Sequence, residues 1–178
     1  TEGETFVDIG GFDGYTTEAF INRCPNYREI YFIEPEASNM ARAQQRLKNH
    51  RNIHYCLSGV SDTTTTLRFE VGGSSSKISP YGSKQIAVDQ LDNLISSPVT
   101  YIKMDIEGEE KKAIQGAAHL IQQYHPKLAI CVYHRFDDFW TIPHLVLSIR
   151  DDYAVFLRHY TEGFAETVLF FIPRHQCP

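Results

Sequence analysis

Three side chains stand where apolar runs give out: Asp105 and Glu107 just after residues 99–104, and His134 just after residues 128–133. A carboxylate or imidazole at such a point can take a proton from an alcohol within hydrogen-bond reach, and an imidazole near its ordinary pKa suits that transfer well. Asp105 could instead orient a bound molecule. Glu107 could simply cap a helix beginning near Gly108, where the dipole favours negative charge, and His134 could be a rim histidine bonded to a neighbouring loop. Asp137 and Asp138, with Asp105 and Glu107, offer oxygen ligands for Mg²⁺, but such spacings are common by chance and a metal is not favoured. Arg158 and His159 could reach an acidic sugar, although a structural role such as pairing with Glu162 is preferred. Phe136, Phe139 and Trp140 could stack on a sugar face. Large aromatics are mostly buried, so closing the core is the preferred reading for them. Tyr81, in a Gly/Ser-rich stretch, could belong to a lid.

A second constellation lies in the stretch VDIGGFDG, which sets Asp8, Gly10, Gly11 and Gly14 around Phe12 and Asp13 at the end of the first apolar run. In open α/β sheets ligands bind outside such strand ends, and glycines there let backbone N–H groups approach the ligand closely. Glu34 follows Gly14 by 20 residues, at the end of the second apolar run, where an acidic residue can take ribose hydroxyls. The dinucleotide fingerprint GxGxxG is not met, because Phe12 stands at its second glycine. Asp8 and Asp13 would also repel a pyrophosphate, whereas S-adenosylmethionine (SAM) has no phosphate and carries a sulfonium and an ammonium. Attraction between unit charges at ~4 Å is worth about 1 kcal/mol in water and several times that in a partly screened cleft. The signs therefore favour SAM over NAD. The alternative is a tight structural turn with solvated aspartates.

These residues need a frame, and the chain alternates short apolar runs with amphipathic stretches, the pattern of a parallel sheet with crossover helices. Strands are expected over residues 5–9, 30–33, 53–57, 99–104 and 128–133. Helices are expected over 15–23, from Pro35 through Met40, Ala43 and Leu47, over 108–123, and over 143–149. Ile114, Ala117, Ala118 and Ile121 fall on one helical face, with Glu109 and Glu110 in the first turn. Residues 63–71 alternate like a strand, and 72–76 form a Gly/Ser-rich turn, together read as an inserted hairpin or lid. The last runs, 154–157 and 167–172, are too close for a parallel crossover and predict an antiparallel pair.

The chain has 178 residues, 42% hydrophobic and 22% charged, and a net charge of −5 without a long basic run, which argues against a general nucleic-acid binder. One domain over residues 1–178 is expected, beginning abruptly enough that it reads as a fragment of a longer chain. Cys24, Cys56, Cys131 and Cys177 form no CxxC pair, so a disulfide framework or zinc site is not expected, and a cytoplasmic location is the default. No run reaches the length of a membrane span.

The combination VDIGGFDGYTT, IEPE and YIKMDIEGEE resembles the FkbM family of SAM-dependent methyltransferases, as do LAICVYHRFDDFWTIP and LRHYTEGFAETVLFF. The resemblance runs from Thr5 to Ile172, and KMDIEG is its most specific part. It implies a Rossmann-like α/β fold, mostly parallel with an antiparallel final strand and helices on both faces. SAM would be the cofactor, used for O-methylation of a hydroxyl on a sugar, glycan or secondary metabolite. By motif position Asp8, Gly10 and Gly14 would hold the methionine part of SAM and Glu34 its ribose, with Pro35, Val60, Ser61 and Asp62 beside the adenine. Gly11, Phe12, Asp13 and Asp105 complete the expected cofactor contacts. Two alternatives stay open from the residues: an NAD(P)-dependent oxidoreductase, and a non-catalytic nucleotide-binding module.

Overall fold

A computed structural model describes residues 3–73, 76–163 and 165–177. The main body is a seven-stranded sheet made of β1 (Thr5–Ile9), β2 (Glu29–Ile33), β3 (Ile53–Cys56), β8 (Tyr101–Met104), β9 (Lys127–Cys131), β10 (Tyr153–His159) and β11 (Thr167–Pro173), in the order β10-β11-β9-β8-β1-β2-β3. β11 runs antiparallel to both of its neighbours, and the other pairs are parallel. Strand order reverses beside β1, which carries β2 on one side and β8 on the other. That switch opens a crevice at the strands' carboxyl ends.

Alternation along β1 sends Phe6 to one face and Val7 and Ile9 to the other. Phe6 packs with Ile30, Phe32 and the apolar sides of α1 (Tyr15–Arg23) and α2 (Ala37–Arg46), contributed by Ile21, Met40 and Ala43. On the opposite face Val7 and Ile9 join Ile114, Ile121, Ile142 and Val146 in the larger core. Those residues come from α4 (Glu110–Gln115), α5 (Ala118–Tyr124) and α6 (Asp138–Ile149). Helices thus cover both faces.

The structure corrects several boundaries. The single helix expected over 108–123 is two, broken at Gly116, because that residue lies against the Ser61 carbonyl, where an added Cβ would be 1.9 Å away. Ala118 is half-buried, while Ile114, Ala117 and Ile121 are fully buried. α6 starts at Asp138, five residues before Pro143, which the helix accommodates in its interior. α2 begins at Ala37, since residues 34–36 form a turn in which Glu36 N donates to the Glu34 carboxylate.

The expected hairpin is part of a four-stranded sheet, β4-β7-β5-β6, with β4 (Gly59–Val60), β5 (Thr65–Glu70), β6 (Lys77–Ile78) and β7 (Lys84–Asp89). β7 leads into the one-turn α3 (Leu91–Leu94). Phe69, Ile86 and Val88 give this sheet its own small core. Within the Gly/Ser-rich turn, Ser74 and Ser75 lie outside the described residues. Among the described residues no disulfide links Cys24, Cys56, Cys131 or Cys177. Among the described residues, no helix is long and apolar enough to cross a membrane.

Candidate active site

A cavity of about 890 Å³ occupies the crevice. Its floor is the turn after β1 (Gly10, Gly11, Phe12, Asp13), and one end holds Glu34, Pro35 and Asn39. Asp105, Glu107, Tyr133 and His134 form the other end, and Phe69, Lys77, Ile78 and Ile86 of the small sheet close a side. The glycines set the floor's height. Gly10 has φ +73°, and a Cβ there would lie 1.9 Å from the Asp105 carbonyl oxygen, while at Gly11 it would lie 2.2 Å from the Phe32 ring. Gly14, at φ +83°, starts α1 and packs over Ala43 and Leu47 beneath the cavity.

Glu34 is 5% exposed. Its Oε2 accepts the Phe12 N–H at 3.1 Å, and its Oε1 accepts Glu36 N–H at 2.9 Å and Asn39 Nδ2 at 3.2 Å. A carboxylate has about four acceptor positions, so one remains for a bound hydroxyl. Burial raises the Glu34 pKa, and the three donors only partly offset it.

The two aspartates of the turn do not present bare charge to the cavity. Asp8 is fully buried, on the same sheet face as Phe6, and its register partner on β8 is Lys103. The Asp8 carboxylate accepts Thr17 Oγ1 at 2.6 Å and pairs with Lys103 Nζ at 3.1 Å. Lys103 Nζ, which also lines the cavity, donates to the Gly10 carbonyl at 2.9 Å and braces the floor. Burial alone would lower the Lys103 pKa, but the Asp8 and Asp105 carboxylates overcome it and hold the ammonium charged. Asp13 lines the cavity but is bonded to Arg46 at 2.7 Å. The negative charge facing the crevice is therefore carried by Glu34, Asp105 and Glu107, a correction to the expectation drawn from Asp8 and Asp13.

Around His134 the acids converge. Its Nε2 is 3.4 Å from Asp105 Oδ1 and 3.8 Å from Glu107 Oε2. Its Nδ1 is 2.9 Å from Glu110 Oε1, an ion-pair contact outside hydrogen-bond alignment. Glu110, fully buried, also accepts the Ile106 N–H at 3.0 Å. The Tyr133 hydroxyl donates to Asp105 at 3.3 Å. Burial pulls the His134 pKa down, yet Glu110, Asp105 and Glu107 outweigh it and leave it raised. The Glu107 carboxyl is also raised, chiefly by burial and further by Asp105 and Glu110, against the lowering charge of His134. Glu107 is held at φ +57° and Gly108 at +95°, so the backbone turns sharply after β8 and presents Glu107 to the cavity. Glu107 is not the N-cap of the next helix, a position occupied by Glu109.

Other expected residues fall elsewhere. Val60 lines the cavity with Ser58 and Gly59, whereas Ser61 N–H bonds to the Asp89 carbonyl and Ser61 Oγ donates to Asp62, beyond the lining. Asp137 pairs with Lys111 at 2.8 Å, and Asp138 accepts the Arg135 N–H at 2.9 Å, so the four-oxygen Mg²⁺ set does not assemble. Phe136, Phe139 and Trp140 are 86%, 46% and 49% exposed, which overturns their core assignment. α6 turns its Ile142 and Val146 inward and Phe139 and Trp140 outward, while Phe136 stands exposed in the turn before the helix. Tyr81 is exposed and outside the cavity lining. Arg158 donates to the Leu157 carbonyl and His159 contacts Thr167 at 2.8 Å, both on the edge strand β10.

Lys103, Glu110 and Tyr133 had no site signal of their own in the sequence. Lys103 was the most legible, since a lysine inside the apolar run YIKM needs a buried partner.

Comparison with known proteins is consistent with this geometry. A family model described as the methyltransferase FkbM domain matches residues 8–171. Among solved structures, the methyltransferase FkbM from Methylobacillus flagellatus superposes with a TM-score of 0.83 at 31% identity, over 96% of this chain and 44% of that one. The chain thus spans less than half the length of that relative. An rRNA methylase from Streptococcus thermophilus (TM-score 0.60, 15% identity, 96% of this chain and 86% of that one) shares the fold. So does Aeropyrum pernix fibrillarin, solved with natively bound SAM (0.57, 12%, 97% and 67%). A search of curated protein sequences finds no match. The floor of glycines, the buried Glu34 and the acid–histidine cluster all lie within the matched region, and the chain belongs to the methyltransferase FkbM family, with the Rossmann-like fold of class I methyltransferases.

Proposed function

We propose that this domain transfers a methyl group from SAM to a hydroxyl of a sugar, glycan or secondary metabolite. The observation that carries the reading is the cavity's polarity along its length: Glu34 with a free acceptor position at one end, and the Asp105–Glu107–His134 cluster at the other. The sulfonium of SAM supplies an activated methyl carbon. Gly10 and Gly11 let the cofactor lie close to the backbone, and Glu34 accepts a ribose hydroxyl. Pro35 and Val60 border the base, and Asp105 faces the methionine end. Aligning donor and acceptor can be worth ~7–11 kcal/mol of barrier. Glu107 takes the acceptor's proton as its oxygen attacks, and its raised pKa brings it closer to that task than an ordinary carboxylate. Phe136, in the turn after His134, and Trp140, in the first turn of α6, are edge-to-face at 5.2 Å and exposed, and suit a stacking contact with a sugar face.

A nucleic-acid acceptor is not part of this reading, because the chain carries net charge −5, although the fold is shared with an rRNA methylase and does not itself choose the acceptor. A cytoplasmic setting, the default for a chain without a CxxC pair, belongs to the same reading. The test is methyl transfer from labelled SAM onto a panel of glycans, polyols, hydroxylated metabolites and RNA. Label on a hydroxyl of the small molecules or glycans supports the proposal; label confined to RNA overturns it.

A further inference from the structure

Three carboxylates converge on one buried imidazole at His134. Asp105, Glu107 and Glu110 surround one imidazole, at 3.4, 3.8 and 2.9 Å from its ring nitrogens. Lys103 of β8 pairs with Asp8 and donates to the Gly10 carbonyl, and reaches Asp105 through its charge alone. Arg135 turns away, donating to the Gly108 carbonyl at 2.6 Å and pairing with Glu109 at 3.3 Å. The side chains of Glu110 and His134 are only 1% and 6% exposed. Even so, Glu110 Oε2 and both ring nitrogens of His134 lack an aligned hydrogen-bond partner among the described residues. Buried polar atoms left so are costly and call for a ligand or a proton.

From this we infer that Asp105, Glu110 and His134 bind a divalent cation. Each offers one ligand atom, and these atoms lie within 4.8 Å of one another. Opposite ligands of an octahedral ion at roughly 2.1 Å stand about 4.2 Å apart, so small side-chain rotations close the site. Two carboxylate oxygens and one imidazole nitrogen suit a first-row ion such as Mn²⁺. Three protein ligands leave open positions for an outside oxygen. Such a site differs from the four-carboxylate set suggested by the sequence, since Asp137 and Asp138 are committed to Lys111 and the Arg135 N–H.

Resting on the proposed O-methylation, the ion's role is to hold the acceptor hydroxyl and acidify it. The hydroxyl proton passes to the Glu107 carboxylate, and the oxygen's electron pair forms the bond to the methyl carbon. The carbon–sulfur pair leaves with sulfur, giving the neutral thioether S-adenosylhomocysteine (SAH).

The test is Mn²⁺ titration of the chain, followed by electron paramagnetic resonance without SAM or acceptor, for the wild type and for His134→Ala, Glu110→Gln and Asp137→Asn. One bound Mn²⁺ is expected in the wild type and in Asp137→Asn, with affinity lowered roughly 10–100-fold or more in the other two. Circular dichroism melts identify any variant that fails to fold, and Asp105→Asn then replaces it. Absence of bound Mn²⁺ in folded wild type at millimolar metal, or equal binding by all the variants, overturns the inference; so does a His134 imidazolium, seen by NMR, that persists unchanged as Mn²⁺ is added. SAH affinity, measured separately, keeps the two claims apart: SAH binding without Mn²⁺ sinks only the cation site, and Mn²⁺ binding without SAH sinks the methyltransferase reading.

Discussion

Replacing Gly10 with alanine adds one methyl group at the point where the β1 turn meets the end of β8. Two penalties coincide there. The backbone has φ +73°, a left-handed conformation that costs an L residue roughly 1–2 kcal/mol. The new Cβ would also sit 1.9 Å from the Asp105 carbonyl oxygen and 2.9 Å from Ile106 Cγ2. Reaching even the 3.0 Å limit of real contacts requires the turn and the Asp105 backbone to part by about 1.1 Å. Parts of this sum can be measured separately. Gly73→Ala carries the left-handed penalty alone (φ +66°, nothing within 4 Å), while Gly116→Ala carries a 1.9 Å clash at an ordinary φ of −73°. Gly73→Ala should cost about 1 kcal/mol, Gly116→Ala about 1–3 kcal/mol and Gly10→Ala about 2–4 kcal/mol in denaturant unfolding. Because Asp105 moves with its backbone, Gly10→Ala should also reduce methyl transfer by about 10²-fold in the fraction that folds, as a displacement near 1 Å does. If Gly10→Ala is no less stable than Gly73→Ala and keeps full turnover, then Gly10 does not set the cavity floor.

Three further outcomes follow from the site. Glu34→Gln loses the charge that faces the last free acceptor position, so SAH affinity should fall roughly 10–100-fold in calorimetry, corresponding to about 1.5–3 kcal/mol for a hydrogen bond to a charged group. Glu107 works as a base only when ionised, and burial raises its pKa above the ordinary carboxylate range, so turnover should fall on acidification with a midpoint above that range. His134→Ala removes a charge that lowers the Glu107 pKa, and the limb should then move to higher pH; a limb that stays in place would remove Glu107 as the base. Lys103→Met strands Asp8 fully buried without its cation and should cost about 3–5 kcal/mol in denaturant unfolding, much of it recovered by adding Asp8→Asn.

The frame was largely legible because apolar periodicity is a local signal. β1, β2, β9 and the antiparallel pair at the end read directly from their runs, and Glu34 read from its distance to the glycines. The small sheet was only half visible: β7 buries just Ile86 and Val88 between charged and polar residues, too few for a clear alternation. Side-chain direction was the larger loss. Whether Asp8 points at a ligand or under the sheet depends on its face relative to Phe6 and on its register with Lys103, which only strand pairing fixes. The role of Glu110 likewise depends on β9 delivering His134 beside the first residue of α4. The exposure of Phe139 and Trp140 was missed because α6 starts at Asp138, earlier than Pro143 suggested, and that of Phe136 because it sits in the turn just before the helix.

On the proposed function, the crevice at the tips of β1, β2 and β8 holds an adenosyl donor without phosphates. Calorimetric titration of the wild-type chain with SAH and, separately, with NAD⁺ tests it most directly. SAH should bind at a single site with NAD⁺ silent, and tight NAD⁺ binding with no heat from SAH would rule out an adenosyl-donor crevice.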